Sequence, residues 1–542
     1  MKKILLSAFL LTQFSFFSNA QCTETSENRI LLIGDSWAFF MNVDQTINKV
    51  MKDWGHSNYK YYTDLVLSEN GAETDDFLLP AKKQKIQDKL NEFPSINVVH
   101  LSIGGNDVLG SWNVNFTNQQ TDSLQNAVFQ RLDSVITFIK SARPGIQILW
   151  SGYTYPNFGE VIGSLPTFVQ STHPFYGTWQ GMGFPTFIQL NTVQNNFTDL
   201  IYNYYTNDPQ VTIIPATGLM QYAFGQATPL GVAPGGSYAA FTVPMPYGKP
   251  DYPSPKNTMR DYGVTKDCFH LSAPGYYELI ANHTRKFYHK FLMDDVYALA
   301  TFNESGTVTS MNNIDANQYV GQESGESMTS IFSFDVQMTE NFVDKASIFL
   351  RIDEITGTNF LTTDLEVKVM NGYFGSQATL EVADYAAMGD ATAVPCVFGS
   401  DAVGKWIRLD LPANLLPFIK NGKNQFAISA PGITAAKVKF TDASNPELAP
   451  VLNLKLGASY ASLNAVVASN VMVYPNPTKG LITIESDNIV TDVFVTDVTG
   501  RKVDCLVIDA TSIDISTLPD GVYILNFVNN NQVHSKKIMK VN

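Results

Sequence analysis

Three short segments of this chain carry residue types suited to acyl transfer. Gly34-Asp35-Ser36-Trp37 follows the apolar run Arg29-Ile30-Leu31-Leu32-Ile33. Gly104-Gly105-Asn106-Asp107 stands downstream, and Asp267-Cys268-Phe269-His270 comes much later. A serine hydroxyl is a weak nucleophile until an imidazole takes its proton, and the imidazole needs a carboxylate to fix its tautomer. Ser36, His270 and Asp267 supply these parts, while the Asn106 amide can meet the negative charge that develops on an attacked carbonyl oxygen. Gly-Asp-Ser by itself says little, since it arises by chance in roughly one chain of this length in ten. Its position gives it weight. Arg29–Ile33 reads as a buried strand and Asn97–Ile103 as another, so Ser36 and Asn106 both leave the carboxyl ends of strands, where open α/β sheets place their ligands.

The elements that must position these groups follow from the spacing of apolar residues. Leu124, Val128, Leu132, Val135, Ile136 and Ile139 keep helical spacing, and Pro144-Gly145 then turns the chain into a third strand, Ile146–Trp150. Strand, helix, strand at this separation implies a parallel sheet with crossover helices. After His270, Ser272 can cap a helix carrying Ile280, Phe287 and Phe291. Residues 151–190 hold nine aromatics and residues 223–258 seven prolines. Loops of that length serve as walls or lids.

Bulk properties limit the possibilities. A chain of 542 residues should hold roughly two to four domains. A net charge of −14 argues against nucleic acid or an anionic membrane as partner. Lys2-Lys3, the apolar stretch Ile4–Phe17 and Ser18-Asn19-Ala20 form a signal peptide over residues 1–20, and no later run is long enough to span a membrane. The four cysteines (Cys22, Cys268, Cys396 and Cys505) lie too far apart for a disulfide scaffold. Cys268, two residues from His270, reads as a small buried residue rather than a reactive thiol. Asp35 and Asp107 read as turn hydrogen-bonders. Neither metal-ligand spacing nor a Gly-rich phosphate loop is present, so no metal or cofactor is expected. Of the histidines without motif context (His56, His100, His173, His283, His289 and His534), only His173 lies where it could touch a substrate.

Taken together, Gly34-Asp35-Ser36, Gly105-Asn106-Asp107 and Asp267-Cys268-Phe269-His270 resemble the blocks of the SGNH, or GDSL-type, hydrolases over residues 29–295. Trp37 replaces the family's usual leucine, without touching the chemistry. The remaining block, a glycine, is matched by Gly71 in Asn70-Gly71-Ala72-Glu73-Thr74, with Ala72 as competitor because the threonine comes one residue late. The α/β-hydrolase elbow fits less well, because Ala38 stands where its second glycine belongs. The resemblance implies a Ser36-His270-Asp267 triad and an oxyanion hole from the Ser36 and Gly71 N–H groups and the Asn106 amide.

Beyond residue 300 the texture changes to alternating strands with Gly, Asn and Asp turns, such as Ala346–Ile352 and Leu365–Val369. These strands, with Trp406–Leu411 and the Phe440–Leu452 segment, resemble DNRLRE-type jelly-roll modules, which implies a carbohydrate-binding-like role. Val473-Tyr474-Pro475-Asn476-Pro477, Val498-Thr499-Gly500-Arg501 and Leu518-Pro519-Asp520-Gly521-Val522-Tyr523 resemble the C-terminal sorting domain read by type IX secretion machinery. The expected organisation is a signal peptide (1–20), an SGNH-type domain (21–297) built on a flavodoxin-like parallel sheet, a jelly-roll sandwich (298–456), a linker (457–470) and a sorting domain (471–542). The expected activity is hydrolysis of esters outside the cytoplasm, with removal of acyl (acetyl) groups from polysaccharide as the leading reading. A lipase or lysophospholipase, and an adhesin with a relic hydrolase domain, are the alternatives.

Overall fold

In the computed structural model the described residues are 26–457 and 472–541, apart from positions 340–341, 358–362, 387–388, 390, 397–398, 487–489, 498–500 and 530–531. The signal peptide, Cys22, nearly all of the 457–470 linker and the Val498-Thr499-Gly500 turn lie outside them. The chain divides into two compact units, one reaching Gly457 and the other starting at Ala458.

Five parallel strands form the sheet that positions the motifs: β1 (Glu27–Gly34), β2 (Tyr59–Tyr62), β3 (Val98–Ser102), β4 (Gln147–Ser151) and β5 (Val211–Ile214), in the order β2-β1-β3-β4-β5. This is the flavodoxin-like order, with the chain reversing direction across the sheet beside β1 and β3. Ile33 pairs with Leu101 and Gly34 with Ser102, so these two strands end side by side. Every residue of β3 is buried, as expected for a parallel strand covered on both faces.

One face is covered by α3 (Pro80–Glu92), α5 (Asn118–Ala142) and α6 (Phe187–Tyr205), and the other by α1 (Ser36–Val43), α2 (Thr46–Asp53) and α7 (Ala273–His283). The helix between α3 and α5 is the short α4 (Gly105–Ser111). Helix α5 opens on a Thr117/Gln120 capping box and buries Val128, Leu132, Val135, Ile136 and Ile139, the positions of its apolar stripe. Ser272 caps α7 by accepting the Gly275 N–H. Between β5 and α7 lies an antiparallel hairpin, β6 (Met259–Tyr262) and β7 (Thr265–Leu271).

Strand β8 (Val296–Leu299) opens an antiparallel sandwich that runs to Leu456. The strand Val343–Thr356 belongs to both of its sheets. Its first part pairs with Trp406–Asp410 and Val451–Leu456, and beyond a bulge at Ile352–Glu354 it pairs with Ala436–Phe440. Phe332, Phe334, Ile348, Leu350, Phe426 and Phe440 fill the core between the sheets. The sandwich packs directly on the α/β layer. Trp406 stacks on Trp54 with ring centroids 5.4 Å apart and meets His289 at 4.4 Å, while Phe349 lies 5.1 Å from His56. The second unit has two four-stranded antiparallel sheets around Ile482, Ile484, Val495, Ile513, Leu525 and Phe527. Among the described residues no helix is long and apolar enough to cross a membrane.

Candidate active site

Ser36 is the first residue of α1, immediately beyond β1. The turn between them depends on Gly34, where a Cβ would lie 2.1 Å from the Ser102 carbonyl oxygen. Without a side chain there, the Asp35 N–H reaches that same carbonyl at 2.9 Å. Asp35 caps α1 by accepting the Trp37 N–H at 2.9 Å, the turn role read from the sequence. Its other oxygen accepts the Tyr153 hydroxyl at 2.6 Å. Ser36 thus sits at a helix N-terminus with its own N–H unused by the helix ladder, which favours a negative charge beside it.

Asp267 and His270 come from β7. In a regular strand residues three apart point to opposite faces. Here the β6–β7 register shifts between Met259 and Asp261, and Asp267 Oδ1 accepts the N–H groups of both Phe269 and His270 at 2.9 Å. The resulting local turn brings both side chains together. His270 Nδ1 lies 2.8 Å from Asp267 Oδ2, and His270 Nε2 lies 2.7 Å from Ser36 Oγ. All three are buried, with Ser36 at 6% and His270 at 7% exposure, and the Phe40 and Phe269 rings flank the imidazole. Cys268 points the other way, into the core, and burial pushes its thiol up.

Asn106 is the second residue of α4, whose cap Gly104 stands at φ +112°, a conformation that a side chain would disfavour. The Asn106 amide donates to the Ala72 carbonyl at 2.9 Å. Ala72 is buried with its N–H directed at the Glu69 carbonyl (3.2 Å), whereas Gly71 is exposed at φ +78°. The Gly71–Thr74 turn is tied to α4 a second time. Asp107, read from the sequence as a turn hydrogen-bonder, instead crosses to another loop. It accepts the Thr74 hydroxyl at 2.6 Å and the Thr74 N–H at 3.0 Å. Arg131 closes the network on Asp107 and Thr74, both at 2.8 Å.

Sequence reasoning missed Tyr153, Thr74 and Arg131, whose partners are brought by other elements. Position offered a hint only for Tyr153, which stands just past β4 as Ser36 stands past β1. His173 is buried with Nε2 3.0 Å from the Lys266 carbonyl and Nδ1 accepting the Phe175 N–H at 3.2 Å. It therefore ties the aromatic insertion to β7 rather than facing a ligand. Beside Ser36 opens a cleft of about 600 Å³, open solvent at its mouth included. The carboxyl ends of β1, β3 and β4 form its floor, and α6 forms a wall.

Residues 472–541 match the family described as the secretion system C-terminal sorting domain. Among curated proteins none matches the chain significantly. Similar solved structures include a GDSL-like lipase from Bacteroides thetaiotaomicron, at 12% identity over 49% of this chain and 89% of that one, with a TM-score of 0.27. A carbohydrate esterase family 3 structure from Talaromyces cellulolyticus has 11% identity over 49% and 97%, with a TM-score of 0.26. The periplasmic domain of a lipopolysaccharide acetyltransferase from Salmonella ser. Paratyphi A has 15% identity over 49% and 85%, with a TM-score of 0.27. The C-terminal unit is a type IX sorting domain, which directs a chain to the cell surface or the medium.

Proposed function

We propose that this protein is an exported serine ester hydrolase whose nucleophile is Ser36, with His270 as general base and Asp267 as its orienting carboxylate. One observation carries the reading: the buried, continuous run from Ser36 Oγ through both ring nitrogens of His270 to Asp267. With Nδ1–H donated to Asp267, Nε2 is the basic nitrogen and accepts the Ser36 proton. Ser36 Oγ then bonds to the ester carbon, and the carbonyl electrons move to oxygen. The Ser36 N–H, the Asn106 amide and an N–H of the Gly71–Ala72 turn receive that charge. Collapse breaks the bond to the alcohol, which leaves with the proton held on Nε2. Water repeats the sequence and frees the acid.

The substrate we favour is an acylated polysaccharide. Export of the chain, and a cleft on the sandwich that places Glu366, Lys368 and Tyr385 beside apolar residues, support a glycan outside the cell. The lipase-type reading keeps the same chemistry and draws on the apolar walls of the cleft beside Ser36. The test is turnover of p-nitrophenyl esters and acetylated xylan, with fluorophosphonate labelling, by wild type, Ser36→Ala and Asn106→Ala. Ser36→Ala should lose both turnover and labelling. Asn106→Ala should remain labelled while kcat falls about 10²–10³-fold, because a donor used mainly in the transition state is gone. Labelling that survives Ser36→Ala would overturn the assignment.

A further inference from the structure

We propose that Tyr153 is a positioning residue that sets the distance between the nucleophile and the oxyanion-binding amide of Asn106. This rests on the ester-hydrolase reading above. Pairing of β1 with β3 ends at Gly34 and Ser102. The ladder itself therefore does not fix how far Ser36 stands from Asn106 once both segments have left the sheet. Tyr153, two residues past the end of β4, stands between them. Its hydroxyl donates to Asp35 Oδ2 at 2.6 Å, and its ring meets Trp37 edge-on with centroids 4.9 Å apart. Asp35 and Trp37 are the two chain neighbours of Ser36. On its other side the ring lies against Gly105, the residue before Asn106. A Cβ on Gly105 would stand 2.8 Å from Tyr153 Cζ and 2.9 Å from Cε1. The Gly105 N–H, free of the helix ladder at the start of α4, points at the Tyr153 oxygen. One side chain thus touches both residues that flank the serine and the residue that precedes the asparagine.

The hydroxyl is what makes this contact a tie rather than a packing neighbour. Asp35 is buried and its Oδ1 is taken by the Trp37 N–H, so Oδ2 needs a donor, and a buried acceptor left without one is costly. The phenol supplies that donor while its ring packs against the apolar cores on both faces of the sheet, which holds it in place. Strand β4 grips the asparagine side a second time through Trp150, whose indole N–H donates to the Ile103 carbonyl at 3.3 Å. Tyr153 extends that grip across to the nucleophile turn. The chemistry demands such a tie, because the Ser36 N–H and the Asn106 amide must both come within about 2.7–3.1 Å of one oxygen. Small errors in their separation therefore weaken the stabilisation of the transition state.

The experiment measures kcat and KM of the full chain on p-nitrophenyl acetate for wild type, Tyr153→Phe and Gly105→Ala, each with and without Asn106→Ala. Tyr153→Phe keeps the ring but cuts the tie to Asp35, and Gly105→Ala forces a methyl against the ring from the opposite end. Either should lower kcat about 10- to 30-fold, a part of the roughly 10²–10³-fold that the amide carries. KM should stay within about twofold, because the misplaced donor acts on the transition state. In the Asn106→Ala background the same changes should cost less than about threefold, since an absent amide cannot be misplaced. An effect carried by the Asp35 charge to His270, or by general loosening of the fold, would multiply with Asn106→Ala instead, and that result overturns the proposal. An unchanged kcat in a folded variant also overturns it, as does a rise in KM alone, which would make Tyr153 a wall of the substrate cleft. Fluorophosphonate labelling of Ser36 reports that each variant is folded, and the two variants act from opposite ends of the tie, so misfolding of one leaves the other to decide. No turnover by wild type, with no Ser36-dependent labelling, would instead remove the hydrolase reading on which the proposal rests.

Discussion

Asp35 combines two requirements that pull against each other. As the α1 cap it should carry charge beside backbone N–H groups, yet it is buried beneath Ser36. Burial raises its pKa to about 6, although the Tyr153 hydroxyl and Trp37 N–H work the other way. In the unfolded chain the group titrates near pH 3.8. Between those values the folded state holds a proton that the unfolded state has released, so stability falls as pH rises and levels off above about 6. A shift of about two units is on the order of 3 kcal/mol. Urea unfolding of wild type and Asp35→Asn should therefore show the difference moving in the variant's favour by about that amount between pH 4 and pH 7. A constant difference would mean that burial does not hold the carboxyl up. Cys268 gives a simpler expectation at this scale. Its thiol is packed in the core and held protonated, so Cys268→Ala should keep Ser36 labelling within about threefold and cost roughly 1 kcal/mol of stability through the small cavity. Ser36, Asn106, Asp267 and His270 were legible because each lies in a contiguous motif at the end of a recognisable strand or just before a cap. Tyr153 and Arg131 were not, since a hydrogen bond 118 residues away to Asp35, or 57 residues away to Thr74, leaves no local pattern.

Elements decide whether those residues meet. The long helix α5 and strands β1, β3 and β4 follow directly from apolar spacing, whereas β2 and β5 are four residues each, too short for a period to assert itself. Asp267 and His270 lie on strand β7, whose register shift against β6 lets two residues three apart meet on one side. Similarly, the Gly71–Thr74 turn is held by α4 and α5 rather than by its own residues. Thr74→Val would leave the buried Asp107 without its 2.6 Å hydroxyl partner and Arg131 with one contact fewer. That change should cost about 1–3 kcal/mol of stability. It should also lower kcat about tenfold with little change in KM, because in the proposed mechanism the turn and the Asn106 amide meet charge only in the transition state. Thr74→Ser, which keeps the hydroxyl, should restore both. A KM effect alone would show that the turn shapes substrate binding instead.

At the scale of the whole molecule, the sequence shows a change of texture near residue 300, but it does not show that the two layers share one core. Trp54, His56 and Tyr288 on the α/β side are buried in one cluster with Phe349, Trp406 and Val451 of the sandwich. Around this cluster Arg408 reaches Asn58 at 3.3 Å, and Asn453 donates to Asp294 at 2.8 Å. His56 and His289 lie 3.1 Å apart within it, and burial holds both well below the ordinary histidine range, so they are neutral at neutral pH. Removing the sandwich would expose these aromatics and break the pairing of β8, which starts the sandwich directly after the last helical turn of the α/β layer. Ending the chain after residue 457 removes only the separate C-terminal unit. That shortened chain should keep the Tm of the main transition within a few degrees and retain ester turnover. A chain ended near residue 297 should be recovered mainly as aggregate, because aromatic surface evolved for burial faces water. Trp406→Ala tests the same packing without truncation. It should cost roughly 3–5 kcal/mol, towards the lower end because its buried indole N–H has no partner among the described residues. A 297-residue chain that melts cooperatively at the wild-type Tm would show instead that the α/β layer draws no stability from the sandwich.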